Sequence, residues 1–120
     1  MDPHFMISLF HLIFVTPLFF YVFVQRAATP EWLYNLLFFV GLFVLVYHAM
    51  KSVFKYMSKS SSIWVNLFHV LLIAPLMVYI GYSSKKTPRA AYELMGLAAF
   101  SVAGYHVFSI IRSLNTHDDE

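Results

Sequence analysis

The sequence predicts an all-α integral membrane protein, a four-helix bundle made of two tandem helical hairpins. Three observations carry that expectation: four apolar blocks of membrane-crossing length, a match of the chain to itself at one offset, and short polar turns. The blocks are residues 5–24, 32–50, 63–82 and 90–111, and Glu93 is the one Asp, Glu, Lys or Arg inside them. A helix of about 20 apolar residues crosses a hydrocarbon core of about 30 Å, and each block meets that length. Of the 120 residues, 60% are hydrophobic and 12% charged. A soluble domain of this size needs a more polar surface, because small domains have proportionally more surface than core.

The first block reads as a retained helix, not a cleaved secretory signal. Its start, Met1-Asp2-Pro3-His4, lacks a positive n-region, and the block is long for an h-region. Pro17 lies inside it and predicts a kink, because it removes one backbone hydrogen bond. The turn at 25–31 contains Thr29-Pro30, with Thr able to cap and Pro able to occupy the first turn of the next helix. The second block follows, with Trp32 as an interfacial belt residue. The polar link 51–62 holds Lys51, Lys55, Lys59 and five serines. The third block repeats the mid-helix proline as Pro75, with Trp64 near its start, and a second Thr-Pro turn spans 83–89. The fourth block ends before a polar tail, 114–120, whose end, His117-Asp118-Asp119-Glu120, is expected to be solvated and disordered.

Shifted by 58 residues, positions 9–48 match 67–106 without a gap at 13 of 40 places. Leu, Phe and Val account for five of these, which apolar segments share cheaply. The other eight are His11/His69, Pro17/Pro75, Tyr21/Tyr79, Thr29/Thr87, Pro30/Pro88, Tyr34/Tyr92, Tyr47/Tyr105 and His48/His106. The chain therefore reads as one membrane domain of two repeats, 5–55 and 63–113. An even number of crossings per repeat makes the copies parallel, related by a pseudo-two-fold along the membrane normal, with both termini on one side. Orientation stays open. Lys51, Lys55, Lys59 and Arg112 on one face balance Arg26, Lys85, Lys86 and Arg89 on the other, and the rule counts only Lys and Arg.

Four histidines belong to the repeat. His11 precedes its hairpin turn and His48 follows it by similar stretches, so both lie about 22–25 Å from the turn at 1.5 Å per residue. His69 and His106 repeat this, which predicts one histidine layer near the face carrying the termini. Ala99, Ala103 and His106 share a helix face, as do Gly41, Leu45 and His48. Small residues mark where membrane helices approach closely, so these two imidazoles are expected to look inward. Ser8 and Asn66, three residues before His11 and His69, are candidates to orient an imidazole through its second nitrogen. Tyr34, Tyr92 and Glu93 are weaker candidates for a proton path. Interfacial anchoring is the plainer account of Tyr21 and Tyr79, and a helix-dipole contact that of Glu93.

Intramembrane ionisable residues are functional candidates by default. Two histidines from different helices at equal depth suit axial ligation of haem b. His48 and His106 are the preferred pair, with His11 and His69 beside them, and electron transfer to a redox partner as the function. The alternative is proton or divalent-metal transport, with His11, His48, His69 and His106 titrating near neutral pH or binding Zn or Cu. One four-helix unit has little room for a water path, so this reading favours a homo-oligomer. A third reading is a structural or accessory subunit whose histidines only hydrogen-bond between helices. The chain has no cysteine, which excludes disulfides, thiolate metal sites and covalent c-type haem. No nucleophile–base pair, paired carboxylates, phosphate loop or HExxH motif points to an enzyme. The net charge of +2 is small and sits at block ends, so the partner is the lipid bilayer and not nucleic acid.

Overall fold

A computed structural model describes residues 3–118, all as helices and short turns. Four helices are long and apolar enough to span a membrane. Helix α1 covers residues 3–25 and α2 is Glu31–Met57; α3 covers 63–83 and α4 is Arg89–Asp118. The chain packs as two compact units, one of residues 1–25 with 92–120 and the other of residues 26–91. The first unit contains α1 and most of α4, and the second contains α2 and α3. The expected hairpin grouping, 5–55 and 63–113, paired α1 with α2 and α3 with α4 by adjacency in sequence. The compact units instead join the first helix of one half to the second helix of the other.

Small residues show why α2 and α3 pair. A Cβ built on Gly81 would lie 2.5 Å from the backbone nitrogen of Phe38 and 2.6 Å from the carbonyl oxygen of Tyr34. One built on Gly41 would lie 2.9 Å from the Met77 side chain. Without a hydrophobic force between apolar helices, such close approach supplies the attraction through packing. Leu33, Leu37 and Gly41 are buried along one stripe of α2, and Ile73, Met77 and Ile80 along one stripe of α3. In the other unit, Phe20 of α1 meets Phe100 of α4 edge to face at 4.7 Å. Gly96 makes room there for the Phe23 ring, which a Cβ would approach to 2.6 Å.

Both helices that carry a mid-helix proline widen before it. Residues His11–Val15 and His69–Ile73 form π turns, followed by Pro17 and Pro75. The proline ring collides with the carbonyl four residues earlier in a regular α-helix. A π turn, with Thr16 N–H donating to His11 O and Ala74 N–H to His69 O, shifts the register ahead of the ring.

The helices depart from their expected ends where no breaker stops them. Helix α2 runs through Lys51 and Lys55 to Met57, leaving a link of five residues, 58–62, instead of twelve. It closes with Lys59 at φ 57°, Ser60 N–H donating to Lys55 O and Lys59 N–H to Tyr56 O, the Schellman pattern. Helix α4 continues to Asp118, so His117 and Asp118 of the expected disordered end are helical, with no Gly or Pro after Ile111 to end the helix; Asp119 and Glu120 lie outside the described residues.

The Thr-Pro turns work differently from expectation. Thr87 Oγ1 donates to Ser84 O at 2.6 Å and to Ile80 O at 3.3 Å, so it closes the helix before the turn, not the one after it. Pro30 stands just ahead of α2, its carbonyl accepting from Leu33 N–H at 3.0 Å. Arg26 and Ser84 take positive φ, 49° and 54°, at the same place in the two turns.

Candidate functional site: two stacked histidine pairs

The four repeat histidines form two pairs, one in each compact unit. His11 of α1 stacks on His106 of α4 with centroids 4.4 Å apart and rings 19° from parallel. His69 of α3 stacks on His48 of α2 at 4.3 Å and 14°. All four rings are partly buried.

The local helix holds the first member of each pair. His11 and His69 open the π turns, and each ring folds back along its own helix. His11 Nδ1–H donates to Ile7 O at 2.8 Å and His69 Nδ1–H to Val65 O at 2.6 Å. A carbonyl only accepts, so Nδ1 carries the proton and Nε2 the lone pair in the neutral ring. The second member is held across the helix pair. His48 Nδ1–H donates to Asn66 Oδ1 at 2.7 Å, and a 3.0 Å hydrogen bond joins His106 Nδ1 to Ser8 Oγ.

Ser8 and Asn66 therefore bond the histidine of the facing helix, not the one three residues along their own. The reason is geometric: His11 and His69 satisfy Nδ1 on the backbone one turn back. Both polar residues are buried, at 2% and 4% exposure, where an unpaired polar group costs free energy. Asn66 Nδ2 nevertheless has no partner among the described residues. Aromatic rings close the ends. Tyr47 stands edge-on to His48 at 5.1 Å and Tyr105 to His106 at 5.0 Å. Phe10 and Phe68 flank His11 and His69 at 5.7 and 6.1 Å.

The weaker candidates lie elsewhere. Tyr34 is fully buried and its hydroxyl donates to Arg26 O at 2.8 Å, pinning the turn before α2. Tyr92 is buried at the matching position, and Glu93 is exposed near the start of α4. Sequence reasoning passed over Ser52, buried one turn beyond His48, whose hydroxyl donates to His48 O at 2.8 Å. A serine at i+4 from a singled-out histidine was the available signal.

Neither stack fits haem. Axial imidazoles lie on opposite sides of the iron, each edge-on to it. With metal–nitrogen bonds of about 2.0–2.1 Å their centroids stand roughly 6 Å apart. Rings face to face at 4.3 and 4.4 Å leave no space for a porphyrin between them. His48 and His106, the pair expected to ligate, belong to separate units and each is stacked on another histidine. Among the described residues, no three His, Asp or Glu side chains gather so as to hold a metal ion.

Two imidazolium charges 4.3 Å apart repel by about 4 kcal/mol at an effective dielectric constant of about 20. Compared with known proteins, the chain matches no family profile, no curated sequence and no solved structure.

Proposed function

We propose that the chain is a multi-pass membrane protein, crossing the bilayer four times with both termini on one side, and that its histidine pairs make it a proton-responsive transport or channel protein. The single observation that carries the reading is the occurrence of the same histidine stack in both units. In the neutral state each pair clamps two helices by ring stacking and one interhelical hydrogen bond. A second imidazolium against the first would add a repulsion of about 4 kcal/mol at an effective dielectric constant of about 20, which favours parting of the two helices. The π turns and prolines next to His11 and His69 give each helix a place to bend. A conducting path calls for association of copies, since a single set of four helices encloses little water.

The reading includes a tandem duplication, which several features support. The π turns, the helices after them, the 3₁₀ turns 26–28 and 84–86, and the starts of α2 and α4 all repeat at an offset of 58 residues. The positive φ values of Arg26 and Ser84 and the histidine contacts repeat at the same offset. The electron-transfer reading through haem b at His48 and His106 has less support, because each of those rings is stacked on another histidine. A Zn or Cu site has less support than protons, since each pair offers two nitrogens.

The structural or accessory reading is the second, favoured by the Ser8–His106 and Asn66–His48 bonds, which hold helices together whatever the protonation. Proton flux into liposomes separates the two. Flux that rises from about pH 8 to about pH 5 and is lost in His48→Ala and His106→Ala supports the gate. Flat traces in folded wild type, with variants that only melt earlier, assign the histidines to packing.

A further inference from the structure

We infer that the link-side end of α2 binds one anionic phospholipid, its headgroup held by Lys51 and Lys55 and its upper chain against Tyr47, Met50 and Phe54. The inference rests on the membrane reading above but not on the histidine mechanism. A groove of ≈ 530 Å³ runs along α2, lined by Tyr47, Met50, Lys51, Phe54, Lys55 and Ser58. These residues form two rows at four-residue spacing, 47/51/55 and 50/54/58, which stand side by side on one helix face. Cation and aromatic therefore alternate along a single strip.

Depth suits a headgroup. Twenty residues separate Glu31 from Lys51, about 30 Å of helix, which is one hydrocarbon thickness. Lys51 then sits where acyl chains give way to headgroups, with Lys55 and Ser58 one and two turns farther out. Tyr47 and Met50 remain on the hydrocarbon side, 46% and 55% exposed. The ammonium groups stay at the groove: Lys51 Nζ lies 5.9 Å from the centre of the Tyr47 ring, and Lys55 Nζ donates to Ser62 O at 3.4 Å.

Charge selects the occupant. In residues 26–91 Glu31 is the one acid. It sits at the far end of α2, where its carboxylate accepts from Ser84 Oγ at 3.0 Å. Lys51, Lys55 and Lys59 thus face the interface with no carboxylate of their own unit near them. A phosphodiester supplies the missing charge, and the aromatic and Met side chains supply an acyl-chain surface, which a free anion does not use. The corresponding stretch of α4 reads Tyr105, Phe108, Ser109, Arg112 and Ser113. It lacks the lysine pair, so the site occurs once per chain.

The test is native mass spectrometry of detergent-purified full-length protein exchanged with phosphatidylglycerol or phosphatidylcholine. Two ammonium groups at about 1 kcal/mol each predict about 30-fold tighter retention of phosphatidylglycerol, with one molecule per chain. K51Q/K55Q should erase the preference and K51R/K55R should keep it. Equal retention of the two lipids by wild type overturns the site, and displacement of the lipid by inorganic phosphate alone overturns the lipid as occupant. Should the Gln variant not fold, wild-type melting decides: a higher Tm in phosphatidylglycerol supports the site and equal Tm values overturn it. Extraction of the protein without detergent is a different failure, because it removes the membrane reading itself.

Discussion

The buried bond between Asn66 and His48 gives a direct measure of whether the histidines clamp facing helices. The perturbation is a double-mutant cycle of Asn66→Ala and His48→Ala, with Asn66→Ala and His69→Ala as its companion. The structure places Asn66 Oδ1 2.7 Å from His48 Nδ1 at 4% exposure, whereas His69 spends its Nδ1–H on Val65 O. A neutral hydrogen bond contributes about 0.5–1.5 kcal/mol net in proteins, and interhelical bonds in membranes average about 0.6 with a maximum near 1.7. A bond of good length with one partner buried and the other half-buried belongs in the upper half, so the coupling should be about 1 kcal/mol, roughly fivefold in the unfolding equilibrium. The companion cycle should be additive to within about 0.3–0.5 kcal/mol. The assay is reversible unfolding in mixed detergent and SDS micelles, followed by helical circular dichroism. Additivity in the His48 cycle, or a larger coupling to His69, would refute the cross-helix assignment.

Other substitutions test the packing and the turns. Gly81→Ala should destabilise the protein by about 1–3 kcal/mol or more, because the new Cβ meets α2 backbone at 2.5 Å, whereas Gly104→Ala, with nothing within 4 Å, should stay within about 0.5 kcal/mol; the same unfolding assay compares them. Tyr34→Phe removes the hydroxyl from Arg26 O and should cost about 0.5–1.5 kcal/mol, read as earlier proteolysis at the turn 26–30 and a lower Tm.

Much of the architecture was legible along the chain because membrane-crossing length and hydropathy are local properties. The four apolar blocks, the Thr-Pro turns and the offset of 58 residues need no tertiary information. Helix ends were less legible. Lys51 and Lys55 read as a polar link, yet a Lys at a helix C-terminus is favoured by the dipole, and no Gly or Pro interrupts α2 before Met57. The histidines were visible as a set because ionisable side chains are rare in apolar helices and these recur.

The sequence by itself determined that the chain makes four membrane-length helices, that two of them carry a mid-helix proline, and that histidines recur at matching positions in the two halves. Only the tertiary structure decided which helices pair, and so which histidines touch. Hydropathy treats every apolar face alike, while pairing depends on where backbones can approach, at Gly41 and Gly81 in one unit, and on where a ring finds room, as Phe23 does at Gly96 in the other. That choice set His11 on His106 and His48 on His69. It also turned Ser8 and Asn66 from neighbours along a helix into partners across one, because a side chain bonds what lies nearest in space.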